Sequence, residues 1–131
     1  MSQLTFTMEN YLEAIYELTT NGRGARVSDI ANRLGVTKAS TNSAMATLSQ
    51  KGLIETEKYR EIYLTPAGRE LAESTSKKHH VIRQFFTDIL KIETGTADRD
   101  ACAIEHVISA DAILAMQRFI VKWNKEAAGN G

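Results

Sequence analysis

Residues 26–52 read RVSDIANRLGVTKASTNSAMATLSQKG, and this stretch decides the fold. Val27, Ile30, Ala31 and Leu34 recur at helical spacing and predict a short helix with one apolar stripe. Ser28 is placed to cap its start. Gly35 supplies a tight turn, Val36 a buried peg, and Thr37 the cap of a second helix. In that helix Ala44, Met45 and Leu48 point inward, and Lys38, Ser40, Thr41, Asn42 and Ser43 leave a small polar face near its N-terminus. A short helix, a glycine turn and a second helix make the helix-turn-helix pattern. A recognition helix sets its first turns against base edges in the major groove and needs short hydrogen-bonding side chains there. Thr37, Lys38, Ser40, Asn42 and Ser43 are therefore candidate DNA contacts, and Ala39 can meet a thymine methyl group.

After Gly52 the period changes. Leu53, Ile54 and Thr56, then Ile62, Tyr63 and Leu64, read as two short strands around the turn EKYRE, residues 57–61. A hairpin directly after a helix-turn-helix is a wing. Lys58 and Arg60 at its tip, with Arg26 before the first helix, suit phosphates. Upstream, Tyr11, Leu12, Ile15, Tyr16 and Leu18 predict an amphipathic helix from about Thr7 to Thr20, with Thr7 as its cap and residues 21–24, NGRG, as its end.

Downstream, Thr65 caps a long helix with Pro66 at its first position. It is expected to reach Leu90 or Lys91, with residues 93–97 as a connection. Two more helices follow, Asp98 to Ile108 and Asp111 to about Lys125, the last capped by Ser109, with residues 126–131 fraying. Val81, Ile82, Phe85, Phe86, Ile89 and Leu90 form an apolar surface on the long helix. A short chain has little to cover it, which points to a homodimer. The fold class is mainly α with a small β-hairpin. Residues 1–70 are expected to form a winged-helix DNA-binding domain, and residues 71–131 a helical dimerisation domain.

Composition agrees. The 131 residues are 43% hydrophobic and 24% charged, with 16 basic and 16 acidic side chains. A zero sum excludes a polybasic, non-specific nucleic-acid binder but not a reader with one basic face. The single Cys102 excludes an intramolecular disulfide scaffold. No stretch reads as a membrane span and the N-terminus has no signal-peptide pattern, so the bacterial or archaeal cytoplasm is expected.

Cys102, Glu105 and His106 stand at i, i+3 and i+4 and share a helical face. His79, beside His80, lies on the long helix, and Asn10 and Glu13 lie three apart on the first. Sulfur, imidazole and carboxylate together suit a divalent transition metal. Singly, each has an ordinary reading: a small apolar cysteine, solvated carboxylates, hydrogen-bonded histidines, a polar helix face.

The stretches MENYLEAIYEL (8–18), ARVSDIANRLGVTKASTNSAMATLSQKGLIE (25–55), IYLTPAGRELA (62–72), KKHHVIRQFF (77–86) and CAIEHVIS (102–109) occur in an order and spacing that resemble the metal-dependent repressors, the family of the diphtheria toxin repressor and the manganese transport regulator. The resemblance runs over roughly residues 5–125 and fits the two-domain form without a C-terminal SH3-like domain. It implies metal ligands at Asn10, Glu13, His79, Cys102, Glu105 and His106, and a structural role for His80. Asn10 departs from the aspartate of manganese-type members and the methionine of iron-type members. Glu13 resembles the manganese type and Cys102 the iron type. Arg83 stands where iron-type members use an acidic ligand for an ancillary site, so that site is expected to be altered or absent.

The mixed ligand set leaves Mn²⁺ or Fe²⁺ as the physiological signal, with Zn²⁺ or Co²⁺ binding in vitro. The implied function is a metal-activated, sequence-specific transcriptional repressor of metal-homeostasis genes, not an enzyme, acting on a double-stranded DNA operator. A metal bridging both domains would hold two recognition helices about 34 Å apart, one DNA turn. Two other readings weigh against this: a winged-helix regulator not controlled by metal, and a helical metalloenzyme or storage bundle.

Overall fold

The computed structural model describes residues 4–57 and 60–129; Lys58, a candidate phosphate contact, lies outside them. The elements are α1 (Phe6–Leu18), α2 (Val27–Leu34), α3 (Lys38–Gln50), β1 (Ile54–Thr56), β2 (Ile62–Leu64), α4 (Pro66–Gln84), a π-helical turn (Phe85–Ile89), α5 (Thr94–Ile104) and α6 (Ala110–Gly129). The chain divides into two compact units, the first ending at Ser74 and the second beginning at Thr75.

In the first unit, α1, α2 and α3 close on a core of Leu12, Ile15, Ile30 and Leu48, all at most 2% exposed, with Leu53, Ile54, Ile62 and Ala72. Burying each such leucine or isoleucine contributes about 1.5–3 kcal/mol. The antiparallel hairpin pairs Ile54 with Leu64, Glu55 with Tyr63 and Thr56 with Ile62. Ala25 bonds both ways with Ile62, fastening the entrance of α2 to the wing.

Local signals mostly place these elements, with corrections. α1 starts before Thr7, because Thr5 takes the cap and accepts from Met8 N at 3.2 Å. It stops at Leu18, before the expected Thr20, where the Thr19 hydroxyl donates to Ile15 O at 2.7 Å. Arg26, without a side-chain bond, is the cap of α2, so Ser28 lies inside the helix rather than capping it. Gly35 takes the left-handed conformation at φ 66°. Val36 N donates to Ala31 O at 3.0 Å, so the turn is closed by backbone. Val36 is consequently no buried peg: it is 40% exposed. Thr37 caps α3, accepting from Ser40 N at 3.0 Å. Thr41 does not belong to the polar face: it is 0% exposed, its hydroxyl satisfied by Thr37 O at 2.9 Å.

In the second unit, Val81, Ile82, Ala101, Ile113 and Ile120 form a core flanked by Phe85, Phe86 and Ile89. Of the apolar face expected to await a second copy, Val81 and Ile82 are buried and Phe85, Phe86 and Ile89 are partly covered within the chain, while Leu90 is 51% exposed. The apolar side chains left outside include Leu114, Phe119, Val121 and Trp123 on α6. The long helix is not α-helical to Leu90. After Gln84 it widens, with Leu90 N closing on Phe85 O at 3.2 Å, a five-residue step.

α5 begins at Thr94 instead of Asp98, because the Glu93 carboxylate accepts from Gly95 N at 3.0 Å and Thr96 N at 2.8 Å. The Thr96 backbone bond, then that of Gly95, holds the Glu93 carboxyl below the usual carboxylate range. α5 ends at Ile104 rather than Ile108, since Val107 N and Ile108 N both turn back to Ile104 O. Glu105 still keeps right-handed helical backbone, φ −54° and ψ −28°. Ser109 caps α6, accepting from Ala112 N at 3.1 Å. α6 runs on to Gly129, where fraying was expected from residue 126.

Candidate metal centre and nucleic-acid interface

The first unit carries the basic candidates on one cleft. Arg26, Lys38, Asn42 and Arg60, with Val27 and Ser28, line a cavity of about 300 Å³. α3 opens beside it with no acidic residue in its first turn, so its N-terminal dipole and three cations act with one sign. At about 100° per residue, the solvent face of α3 centres on Ala39, Ser43 and Ala46, all exposed. Lys38 and Asn42 flank it on the cleft side. Ser40 flanks the other side, where it lines a second groove with Ala39, Ser43 and α1 residues Thr7, Met8 and Tyr11. The Thr37 hydroxyl, a candidate contact, is engaged with Ser40 N and Oγ at 3.0 Å.

Arg60 is held at φ 63° at the wing tip, with its N–H on Glu57 O at 3.1 Å. A left-handed residue with a Cβ costs about 1–2 kcal/mol. Arg60→Gly should therefore raise the stability of this unit by up to about 1 kcal/mol while weakening DNA binding and lowering the salt slope by about one unit. Thermal unfolding and anisotropy titrations at several salt concentrations check both signs. A change of the same sign in both would contradict a phosphate role.

In the second unit, His79 of α4, Cys102 of α5 and Glu105 just past it bring ring nitrogen, sulfur and carboxylate oxygen within 4.8 Å of one another. His79 Nδ1 lies 3.1 Å from Glu105 Oε2, and His106 Nε2 lies 3.4 Å from Glu105 Oε1. Glu105 is 1% exposed, whereas Cys102 is exposed. Atoms bound to one transition-metal ion at about 2.0–2.3 Å sit about 3–4 Å apart, which these separations match. His79 Nδ1 is buried without a hydrogen-bond partner, the condition of a ligand atom facing an ion. The residues present thus fit a divalent transition metal. Asn10 and Glu13 stand on α1 of the first unit, both half-buried.

Sequence reasoning missed Asp98. Its Oδ1 lies 2.8 Å from His79 Nε2, and Arg83 Nη1 lies 3.6 Å from the same oxygen. The available signal was spacing: Asp98 precedes Cys102 by one helical turn, as His79 precedes Arg83.

Comparison with known proteins covers both units. Residues 3–62 match the family described as "Iron dependent repressor, N-terminal DNA binding domain", and residues 65–130 match "Iron dependent repressor, metal binding and dimerisation domain". The diphtheria toxin repressor of Corynebacterium diphtheriae is 31% identical over 128 residues, 98% of this chain and 55% of that protein. The HTH-type transcriptional regulator MntR of Lysinibacillus sphaericus is 35% identical over 109 residues, 83% of this chain and 78% of that protein. The chain spans about half the length of the diphtheria toxin repressors it matches. Among solved structures, the manganese regulator SloR superposes with a TM-score of 0.77 at 26% identity, over 86% of this chain and 53% of that one.

Proposed function

Because the chain belongs to the iron-dependent repressor family, we propose that it is a metal-activated, sequence-specific transcriptional repressor of metal-homeostasis genes. The observation that carries this reading is the convergence of His79, Cys102 and Glu105 in a chain that also bears a helix-turn-helix and a basic cleft. Members of the family are repressors, not enzymes. Residues 1–70 serve as the DNA-binding domain and residues 71–131 as the metal-binding and dimerisation domain.

His79, Cys102, Glu105 and His106, joined by Asn10 and Glu13 on the strength of the sequence resemblance, hold one or two ions per subunit. A bound divalent ion supplies positive charge among carboxylate, thiolate and imidazole donors. With ligands from both domains, it restrains the DNA-binding half, and operator binding in turn tightens metal binding by the same factor. Mn²⁺ or Fe²⁺ is the physiological signal, and Zn²⁺ or Co²⁺ also binds in vitro. The active form is a homodimer on a double-stranded operator. No helix among the described residues is long and apolar enough to cross a membrane, and the proposed site of action is the cytoplasm.

The test is fluorescence anisotropy on the DNA upstream of the protein's own gene, first in chelator and then with Mn²⁺, anaerobic Fe²⁺, Co²⁺ and Zn²⁺ in turn. Binding only with metal supports the repressor, whereas equal binding in chelator removes metal control. Cys102→Glu, replacing a soft donor with a hard one, should move the ranking toward Mn²⁺. An unchanged ranking would count against Cys102 as a ligand.

A further inference from the structure

We propose that Asp98 is a positioning residue of the metal centre: its carboxylate accepts the Nε2 proton of His79 and so presents the Nδ1 lone pair to the ion. This rests on the reading of His79, Cys102 and Glu105 as ligands. A neutral imidazole carries its proton on one nitrogen, and only the other can bind metal. Nothing else about a histidine on a helix decides which. Here the two ring nitrogens face different chemistry. Nε2 lies 2.8 Å from Asp98 Oδ1, hydrogen-bond distance from a carboxylate that accepts. Nδ1 is buried without a hydrogen-bond partner, 3.1 Å from Glu105 Oε2. With an ion at the convergence, an Nε2–H tautomer satisfies both sides at once; an Nδ1–H tautomer would turn a bare nitrogen toward Asp98 and place a proton where the ligand atoms meet.

Asp98 is not itself part of the convergence. It sits on the Nε2 side of the ring, and the two nitrogens of an imidazole point away from each other. Its side chain is 53% exposed and so is free to turn into solvent. Arg83, one turn beyond His79 on α4, opposes that by placing Nη1 3.6 Å from the same Oδ1. The guanidinium also offsets the carboxylate charge, so the aspartate remains a hydrogen-bond acceptor for His79 rather than a competing site for the cation.

Metal-binding histidines held through their second nitrogen typically lose about 10–100-fold in metal affinity when that partner is removed. Two measurements on the full chain test the proposal. The first is a two-bond ¹H–¹⁵N correlation on Zn²⁺-loaded protein, which reads which His79 nitrogen carries the proton. Wild type should show the Nε2–H form, Asp98→Ala a mixture, and Asp98→Glu a return toward wild type. The second is a Co²⁺ titration followed by visible absorption. Asp98→Ala should bind about 10–100-fold more weakly with an unchanged spectrum, because the atoms touching the metal are the same.

An Nδ1–H tautomer in wild type, or undiminished Co²⁺ affinity in Asp98→Ala, overturns the proposal. So does an altered spectrum at saturation, which would make Asp98 a ligand. Failure of wild type to bind Co²⁺ at all would instead defeat the ligand assignment beneath it, and would do so whatever the tautomer measurement shows.

Discussion

Glu105→Gln should lower affinity for Mn²⁺ or Co²⁺ by more than about 100-fold and remove metal-dependent operator binding. The carboxylate is 1% exposed and stands between two imidazoles, 3.1 Å from His79 Nδ1 and 3.4 Å from His106 Nε2. An amide of the same size keeps the packing but withdraws the negative charge that a divalent ion requires. It also presents either a neutral oxygen or an N–H that cannot ligate. The dimer should survive, since the amide keeps the volume of a side chain that is buried within its own unit. Isothermal titration with each metal, sedimentation and anisotropy on the operator separate these effects. His106→Ala should act in the same direction. A Glu105→Gln protein with a native metal response would end the assignment of this cluster as the sensor.

Gly68→Ala should destabilise the first unit by about 3 kcal/mol, seen as a fall of roughly 12–24 °C in Tm. In an ordinary helix the same change would help by about 1 kcal/mol. Here an added Cβ would run into Leu53 O and lie 2.9 Å from Leu53 C. The obstacle cannot move easily. Leu53 is 6% exposed in the core, and its carbonyl accepts from Thr65 N at 3.1 Å, the bond that leads the wing into α4. Gly68 N is itself engaged with Thr65 Oγ1 at 3.1 Å. The first turn of α4 therefore lies against the wing strand at a separation only glycine permits. Thermal and urea unfolding check the sign, and a Tm equal to or above wild type would show that α4 can slide.

The helix-turn-helix was legible because its local signals agree with one another. The Thr37 cap, the Gly35 turn and the spacing of Ile30, Ala31, Ala44 and Leu48 each require the same fold. Errors arose where a residue's partner is backbone. Val36 looked buried because it is apolar, but a backbone bond closes the turn. Thr41 looked exposed because it is polar, yet its hydroxyl finds Thr37 O one turn back and can be buried at little cost.

The candidate metal cluster was partly legible. Cys102 and Glu105 share a face by spacing within one helix, and Glu105 keeps that phase although α5 has ended. His79 and Asp98 meet across elements, and no single-helix period encodes that meeting. The apolar face of the long helix was visible in sequence; that α6 would cover it was not, because amphipathicity shows that a face is apolar without naming its cover.

The widened turn at Phe85–Ile89 lies in sequence between His79 and the segment carrying Cys102 and Glu105. A π turn is what a helix holds when one residue has been inserted without breaking it. A wide turn of this kind takes up one extra residue while the chain on either side keeps its phase. The helix then closes at once, with Lys91 at φ 57° and Ile92 N on Phe86 O at 2.9 Å. A single deletion within Phe85–Ile89 should therefore be taken up as an ordinary α turn, leaving His79 and the start of α5 where they are. The chain carries one residue of slack at this point, and its length can change by one without disturbing what lies on either side.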